Sequence, residues 1–365
     1  MAVVPPNANE LRENIIKLIE SQTSICDRYV NICRIDSVGG DGCFSLVFKA
    51  KDNVSKKQRP VALKFFDPLC SGDSYLTNCF HRESEILKDF QGQRNILPLV
   101  QEKTSLNLIL EHNGIPFPLP LMFYSSYLAD FNLRQYIYGD RADFLTNLLY
   151  FREMCKAVQR IHSKKLCHRD LKPGNFLVYK KKYVCLSDFG TSRYFNESSK
   201  PLQDHYRFPV GDKRYTAPEL LCGLYFSSHH NYCADIYSLG AILFELFTKT
   251  VLGPIIFPDT EEIVTDFYQV AEQRRIEVFN GVIESISRSR SLPSIRLYNE
   301  TVPKSLACEV DRLYQSMACL DYRRRETNFE TIFIRLNICI KIIQIQKQYE
   351  EWRRKKEQRR KDRLC

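Results

Sequence analysis

The feature that most constrains this chain is a pair of polar clusters set in apolar surroundings. The first is Cys167-His168-Arg169-Asp170-Leu171-Lys172-Pro173-Gly174-Asn175; the second is Ser187-Asp188-Phe189-Gly190. Six residues, 170–175, hold a carboxylate, a lysine and a carboxamide, and a second carboxylate, Asp188, follows Asp170 by 18 residues. Hard oxygen donors beside a cation suit one task, the alignment of a hydroxyl with a metal-bound triphosphate. A fold that uses both clusters must bring them to one place.

Upstream of them the pattern is that of strands. Tyr29 to Ala50 reads as two strands around a glycine turn, Gly39-Gly40-Asp41-Gly42-Cys43-Phe44-Ser45-Leu46-Val47, where a backbone free of side chains can approach phosphate. Asp52 to Arg59 is polar and predicts a hairpin to a third strand, Val61-Ala62-Leu63-Lys64-Phe65-Phe66. Lys64 follows three apolar residues, and a buried lysine is costly unless paired. Tyr75 to Phe90 predicts a helix carrying two candidate carboxylates, Glu83 and Glu85. Two further strands are expected at Leu106–Leu110 and Leu119–Tyr124, separated by a turn through Pro116, Pro118 and Pro120. A short helix starting at Asn9, with Asn9 as its N-cap, is expected to pack on this smaller lobe. After Leu133 the pattern becomes helical, with a buried-helix period over Phe144–Lys164 and a nearly all-apolar stretch at Ile236–Phe247. Residues 251–305 predict helices interrupted by loops, and Glu326 to Glu350 predicts a closing helix.

Taken together, HRDLKxxN, DFG, the glycine loop, VALK at 61–64 and Ala217-Pro218-Glu219 resemble the eukaryotic-type protein kinase family, on its serine/threonine side. The resemblance implies an α+β, two-lobed protein kinase fold, with a small antiparallel-sheet N-lobe bearing one helix and a larger, mainly helical C-lobe. Expected boundaries are an N-terminal extension over 1–28, a kinase domain over 29–343 (N-lobe about 29–132, C-lobe about 133–343) and a basic helical tail over 344–365. ATP and Mg²⁺ are the implied cofactors. Gly40, Asp41, Gly42, Cys43, Phe44, Ser45, Val47, Ala62, Lys64 and Leu177 would surround the nucleotide. Lys64, fixed by Glu83, would hold its phosphates; Asp170 would act as base, Lys172 would neutralise the γ-phosphate, and Asn175 and Asp188 would ligate metal. Lys172 points to serine and threonine acceptors. Glu219 would pair with Arg325, and Asp235 would brace the catalytic loop. Arg169 would receive a phosphate from the segment that follows, where Thr191, Ser192, Tyr194, Ser198, Ser199 and Tyr206 are acceptors. Two departures stand out. Ser45 replaces the third glycine, and Asp212 replaces the threonine of G-T-x-x-Y in Gly211-Asp212-Lys213-Arg214-Tyr215. Asp212 would place like charge near Asp170, or pair with Lys172, and so reduce activity. The alternative classes are a pseudokinase or scaffold and a small-molecule kinase.

Bulk properties narrow the setting. Met1 to Asn14 lacks a secretion pattern, none of the 14 cysteines forms C-x-x-C, and a cytoplasmic, or nuclear, protein with reduced thiols is expected. Half of the net charge of +10 lies in Lys347 to Cys365, which hold nine Lys or Arg against four Asp or Glu. Protein substrates are the implied partners. An acidic partner or an anionic membrane surface is the candidate for the tail, and nucleic acid is not expected, since Trp352 alone interleaves the basic run. No transmembrane segment is expected.

Overall fold

The computed structural model describes residues 8–35, 44–55, 57–112, 115–139, 143–195, 210–224, 227–258, 260–289 and 291–362. Helix α1 (Ala8–Glu20) presents Ile15, Ile16 and Ile19 to the underside of a sheet, where all three are buried. It begins at Ala8, so Asn9 lies in its first turn rather than at its cap. Arg12 anchors it further, with Nε 3.0 Å from an Asp67 carboxylate oxygen.

The sheet has five antiparallel strands, β1 (Tyr29–Arg34), β2 (Ser45–Asp52), β3 (Pro60–Phe66), β4 (Leu99–His112) and β5 (Ile115–Tyr127), in the order β1-β2-β3-β5-β4. The expected proline turn is instead the first half of β5. Pro116, Pro118 and Pro120 lie opposite Glu111, Ile109 and Asn107 of β4, at every second position. Their missing N–H groups therefore fall on the side away from β4, and β3 joins β5 only from Phe123 onward. That stretch is a sheet edge, the one place within a strand where proline costs no ladder bond. Between β3 and β4 runs α2 (Ser74–Asp89), capped by Asp73, whose carboxylate accepts from the N–H groups of Tyr75 and Leu76. It buries Phe80, Ile86 and Leu87.

The larger lobe opens with the short strand β6 (Phe131–Asn132) and helices α3 (Leu133–Ile137) and α4 (Phe144–Ser163). Four short strands follow: β7 (Leu166–Cys167), β8 (Phe176–Tyr179), β9 (Tyr183–Leu186) and β10 (Arg193–Tyr194). Beyond them come α5 (Pro218–Leu221), α6 (Ser228–Thr248), α7 (Gly253–Ile256), α8 (Thr260–Gln269), α9 (Glu272–Ser289), α10 (Lys304–Met317) and α11 (Phe329–Asp362). Helix α6 is buried almost throughout and forms the axis of the lobe. Its Gly240 sits where an added Cβ would come 2.8 Å from the Ala318 nitrogen, so α10 can approach only a glycine there. Helix α11 joins the expected closing helix and the expected basic helical tail in one unbroken run to Asp362, because its Arg- and Lys-rich continuation keeps good helix formers and contains neither glycine nor proline.

Candidate active site

Lys64 leaves β3 toward the gap between the lobes. Val47 stands opposite it in β2, and Ala62 lies two residues back on the same sheet face. Its ammonium lies 2.7 Å from Glu83 Oε2 and 3.8 Å from Asp188 Oδ1. Burial pulls the Lys64 pKa down, but the charges of Glu83 and Asp188 outweigh it and hold the lysine above its ordinary value. Glu83 is buried on α2, whereas Glu85 faces solvent, which resolves the choice between them. The buried Tyr124, opposite Lys64 in β5, lies beside Glu83 and has its hydroxyl pKa pushed far up by burial and by that carboxylate.

The two polar clusters are joined by the β8–β9 hairpin, whose register pairs Phe176 with Leu186 and so sets Asn175 beside Ser187. Both the Ser187 N–H and its hydroxyl donate to the Asn175 carbonyl, each at 2.9 Å. The 18-residue separation of Asp170 and Asp188 is thus the length of a hairpin that returns to its start. His168 ties the clusters a second time. Its Nε2 lies 3.0 Å from the Ser187 carbonyl, and the Asp170 N–H faces its Nδ1 at 3.3 Å. Asp235 of α6 accepts from the N–H groups of His168 (2.9 Å) and Arg169 (2.8 Å), and His162 Nε2 lies 2.9 Å away. This holds Arg169 at φ 71°. Asp188 sits at φ 63°, so both of these non-glycine residues are in the left-handed region, strain that surrounding contacts must maintain.

Around Asp170 the contacts are dense. Lys172 Nζ lies 2.8 Å from Asp170 Oδ2, and the Asn175 carboxamide donates to the Asp170 carbonyl (2.8 Å) and approaches Oδ2 (3.4 Å). Burial pushes the Asp170 carboxyl up, with Lys172 pulling against it. At Asp188 burial also acts upward, but Lys64 and Lys172 prevail and hold this carboxyl below the usual range. Among the described residues no hydrogen bond reaches the Asp188 carboxylate or Asn175 Oδ1. Leu177, in β8, packs half-buried against the core of the large lobe. Phe44 comes within 5.8 Å of the Lys64 ammonium, measured to its ring centroid, and Ser45 opens β2. Gly40, Asp41, Gly42 and Cys43 lie outside the described residues.

The Asp212 backbone N–H donates to Asp170 Oδ1 at 2.8 Å, which brings the two residues together as expected. The side chain, however, does not pair with Lys172. Its carboxylate takes a two-point hold on Arg214 (Nε 2.9 Å, Nη2 2.6 Å) and is kept below its ordinary pKa by that bond, against burial. A neighbour two residues away outcompetes Lys172, which Asp170 already occupies. Gly211 has φ +86°, and a Cβ there would come 2.5 Å from the Arg169 carbonyl.

Several supports had no motif to announce them. Arg82 of α2 donates to the Gly190 carbonyl, and the Tyr194 hydroxyl donates to Asp89 at 3.0 Å, so α2 is clipped to the segment carrying Asp188 at two points. Both are single side-chain contacts between residues 108 and 105 positions apart, with no local signal in the sequence. Glu245, buried on α6, accepts from Tyr215 and Tyr138 hydroxyls at 2.8 Å each. The expected pair of Glu219 and Arg325, by contrast with these, follows from the Ala-Pro-Glu motif; it is a two-point ion pair with fully buried side chains, and Arg325 also donates to the Cys319 carbonyl. Of the candidate phosphate acceptors, Ser192 is buried against the His168 carbonyl, Thr191 donates to the same atom at 3.1 Å, and Tyr194 is engaged as above. Ser198, Ser199 and Tyr206 lie outside the described residues.

Comparison with known proteins agrees with this geometry. The model of the protein kinase domain family matches residues 34–333. The stress-activated protein kinase JNK of Drosophila melanogaster is 26% identical over 306 residues, covering 82% of this chain and 71% of that protein. The mitogen-activated protein kinase spm1 of Schizosaccharomyces pombe is 32% identical over 213 residues, 58% of this chain and 48% of that one. The extracellular signal-regulated kinase 2 of Dictyostelium discoideum is 28% identical over 227 residues, 59% and 54%. In the latter two cases the chain spans about half the length of its relative. With the family model spanning both lobes, the chain belongs to the eukaryotic-type protein kinase family, on its serine/threonine side.

Proposed function

We propose that the chain transfers the γ-phosphoryl group of ATP to serine or threonine hydroxyls of protein substrates. The observation that carries this reading is the convergence of Lys64 on Glu83 and Asp188, with Lys172 held by Asp170 and near enough to act on the Asp188 charge. The acceptor hydroxyl gives its proton to Asp170, its oxygen bonds to the γ-phosphorus, and the bond from that phosphorus to the bridging oxygen breaks to release ADP. Lys64, kept charged and held by Glu83, binds the phosphates of the nucleotide. Lys172 faces the charge on the transferred group while orienting Asp170. Val47, Ala62 and Leu177 supply apolar surface above and below the base. Asn175 Oδ1 and the Asp188 carboxylate, which take no hydrogen bond among the described residues, are hard donors at the two ends of one hairpin, which fits Mg²⁺; held there, the ion would neutralise charge on the polyphosphate. The kinase unit is residues 29–343, with 1–28 as an extension and 344–365 as a tail. Asp212, clamped by Arg214, leaves Asp170 without the threonine hydroxyl of the usual motif, and basal turnover is accordingly low. The test is incubation with labelled ATP, Mg²⁺ and generic acceptor proteins, with Asp170→Ala as control. Label on serine or threonine that the control loses supports transfer. Nucleotide binding with no label on any acceptor overturns it in favour of a pseudokinase, and label on small molecules alone in favour of a small-molecule kinase.

A further inference from the structure

Helix α11 has two apolar faces. One, with Ile332, Leu336, Cys339, Ile340 and Ile343, is buried against α4 and α10. The other is in solvent: Ile334, Ile338, Ile345, Tyr349 and Trp352 are between 42% and 64% exposed. At 3.6 residues per turn these five fall within an arc of about 60° and form a stripe about 27 Å long. Gln346 and Lys347 reach back to Ser305 (2.9 Å) and Asp143 (3.3 Å), which fixes the side facing the lobe and sets the stripe on the opposite side.

The charges around the stripe are sorted. Arg353, Lys356 and Arg359 lie within about 75° of its midline; Glu350 and Glu351 lie at about 130°, Glu357 at about 110°, where it pairs with Arg353 at 3.7 Å, and Lys347 and Arg354 lie on the far side. All eight are exposed. Lys356 caps the Trp352 ring at 4.8 Å, and Trp352 stacks with Tyr349 at a centroid distance of 5.9 Å. Isoleucine followed by tyrosine and tryptophan, edged by cations with the carboxylates turned away, is the chemistry of a helix lying in an anionic lipid interface. A coiled coil fits less well. Of the two rows that could complete its seam, one holds Lys341, Gln348 and Lys355; the other holds Arg335, Ile342, Tyr349 and Lys356, of which Ile342 is already packed against the core of the lobe and the two ends are cations. Spanning is excluded for this helix, since none among the described residues is long and apolar enough to cross a membrane.

We propose that this face of α11 docks the protein onto an anionic phospholipid bilayer, with the helix parallel to the surface. Trp352 is the chain's single tryptophan, so its fluorescence reports on this face alone. The full chain is titrated with phosphatidylcholine vesicles and with vesicles containing about 30% phosphatidylserine, the lipid that basic segments select. The expected result is a blue shift and co-sedimentation with the anionic vesicles only, reversed by high salt. The double variants Ile345→Ser/Tyr349→Ser and Arg353→Glu/Lys356→Glu should each bind at least tenfold more weakly, with unchanged thermal unfolding. Glu350→Gln/Glu357→Gln should bind at least as well as the parent. Absence of anionic-vesicle binding, or equal binding by either double variant, overturns the proposal. So does tighter binding to an acidic amphipathic peptide, or self-association that Ile338→Asp abolishes.

Discussion

Arg325→Met tests how the end of the segment that follows Asp188 is tied to the large lobe. In the parent, the Glu219 carboxylate has no access to water and takes both of its hydrogen bonds from Arg325, which also donates from Nε and Nη2 to the Cys319 carbonyl. Methionine fills a similar volume but donates nothing. The variant therefore leaves a buried carboxylate without its cation, a change worth about 3–5 kcal/mol. At roughly 2–4 °C per kcal/mol for a domain of this order, the midpoint of thermal unfolding should fall by about 6–20 °C. The charge is the cause, so removing it as well should recover most of the loss. Glu219→Gln/Arg325→Met is expected to be more stable than Arg325→Met alone, by about 2 kcal/mol or more. The assay is thermal or urea unfolding followed by circular dichroism, on the parent, both single variants and the double. Losses that simply add, or an Arg325→Met variant within about 1 kcal/mol of the parent, would refute the assignment of a stability-bearing buried pair.

Four further outcomes follow from the cleft. Asp212→Thr should raise kcat by a few-fold, about the worth of one hydrogen bond, and Arg214→Ala, which frees the Asp212 carboxylate, should lower it; steady-state phosphorylation of a generic acceptor reads both. As the proposed base, Asp170 must be ionised, so activity should rise with pH through its pKa, and burial should put that acidic limb above the usual carboxylate range; Lys172→Met removes the opposing cation and should move the limb to still higher pH in a kcat/KM profile. Glu83→Ala leaves Lys64 buried with only Asp188 nearby, and the KM for ATP should rise at least tenfold while Glu85→Ala leaves it unchanged. Gly211→Ala meets both a left-handed φ, worth about 1–2 kcal/mol, and the Arg169 carbonyl, and the displaced Asp170 should cost more than tenfold in kcat.

Local order made much of this legible in the sequence. Lys64 stands in a strand read from its apolar run, Glu83 falls on a helix with its own Asp73 cap, and the hairpin between Asn175 and Ser187 is short enough that two distant motifs become neighbours. What escaped depends on direction in space. Pro116, Pro118 and Pro120 look like a turn until one sees that the missing N–H groups face an edge. Asp212 was placed near Asp170 correctly, but the rotamer that gives its carboxylate to Arg214 is decided by competition between two cations, and sequence carries no distance to either. The basic tail, by contrast, is legible as a helix, because arginine and lysine continue a helix as readily as leucine does, and it extends the closing helix to Asp362.

The same competition explains why Asp212 is tolerable so close to the proposed base. Two adjacent carboxylates in a partly buried site would raise each other's pKa, and the rise would fall on the group that must stay ionised. Arg214 takes the Asp212 charge through two nitrogens, Lys172 takes that of Asp170, and the contact between the two aspartates is made by a backbone N–H donor. The cleft thus holds Asp170 by the main chain of residue 212 while turning its side chain away. A threonine there would add a hydroxyl without disturbing the N–H, which is why Asp212→Thr is expected to gain activity, and why Arg214 becomes the residue on which the present arrangement turns.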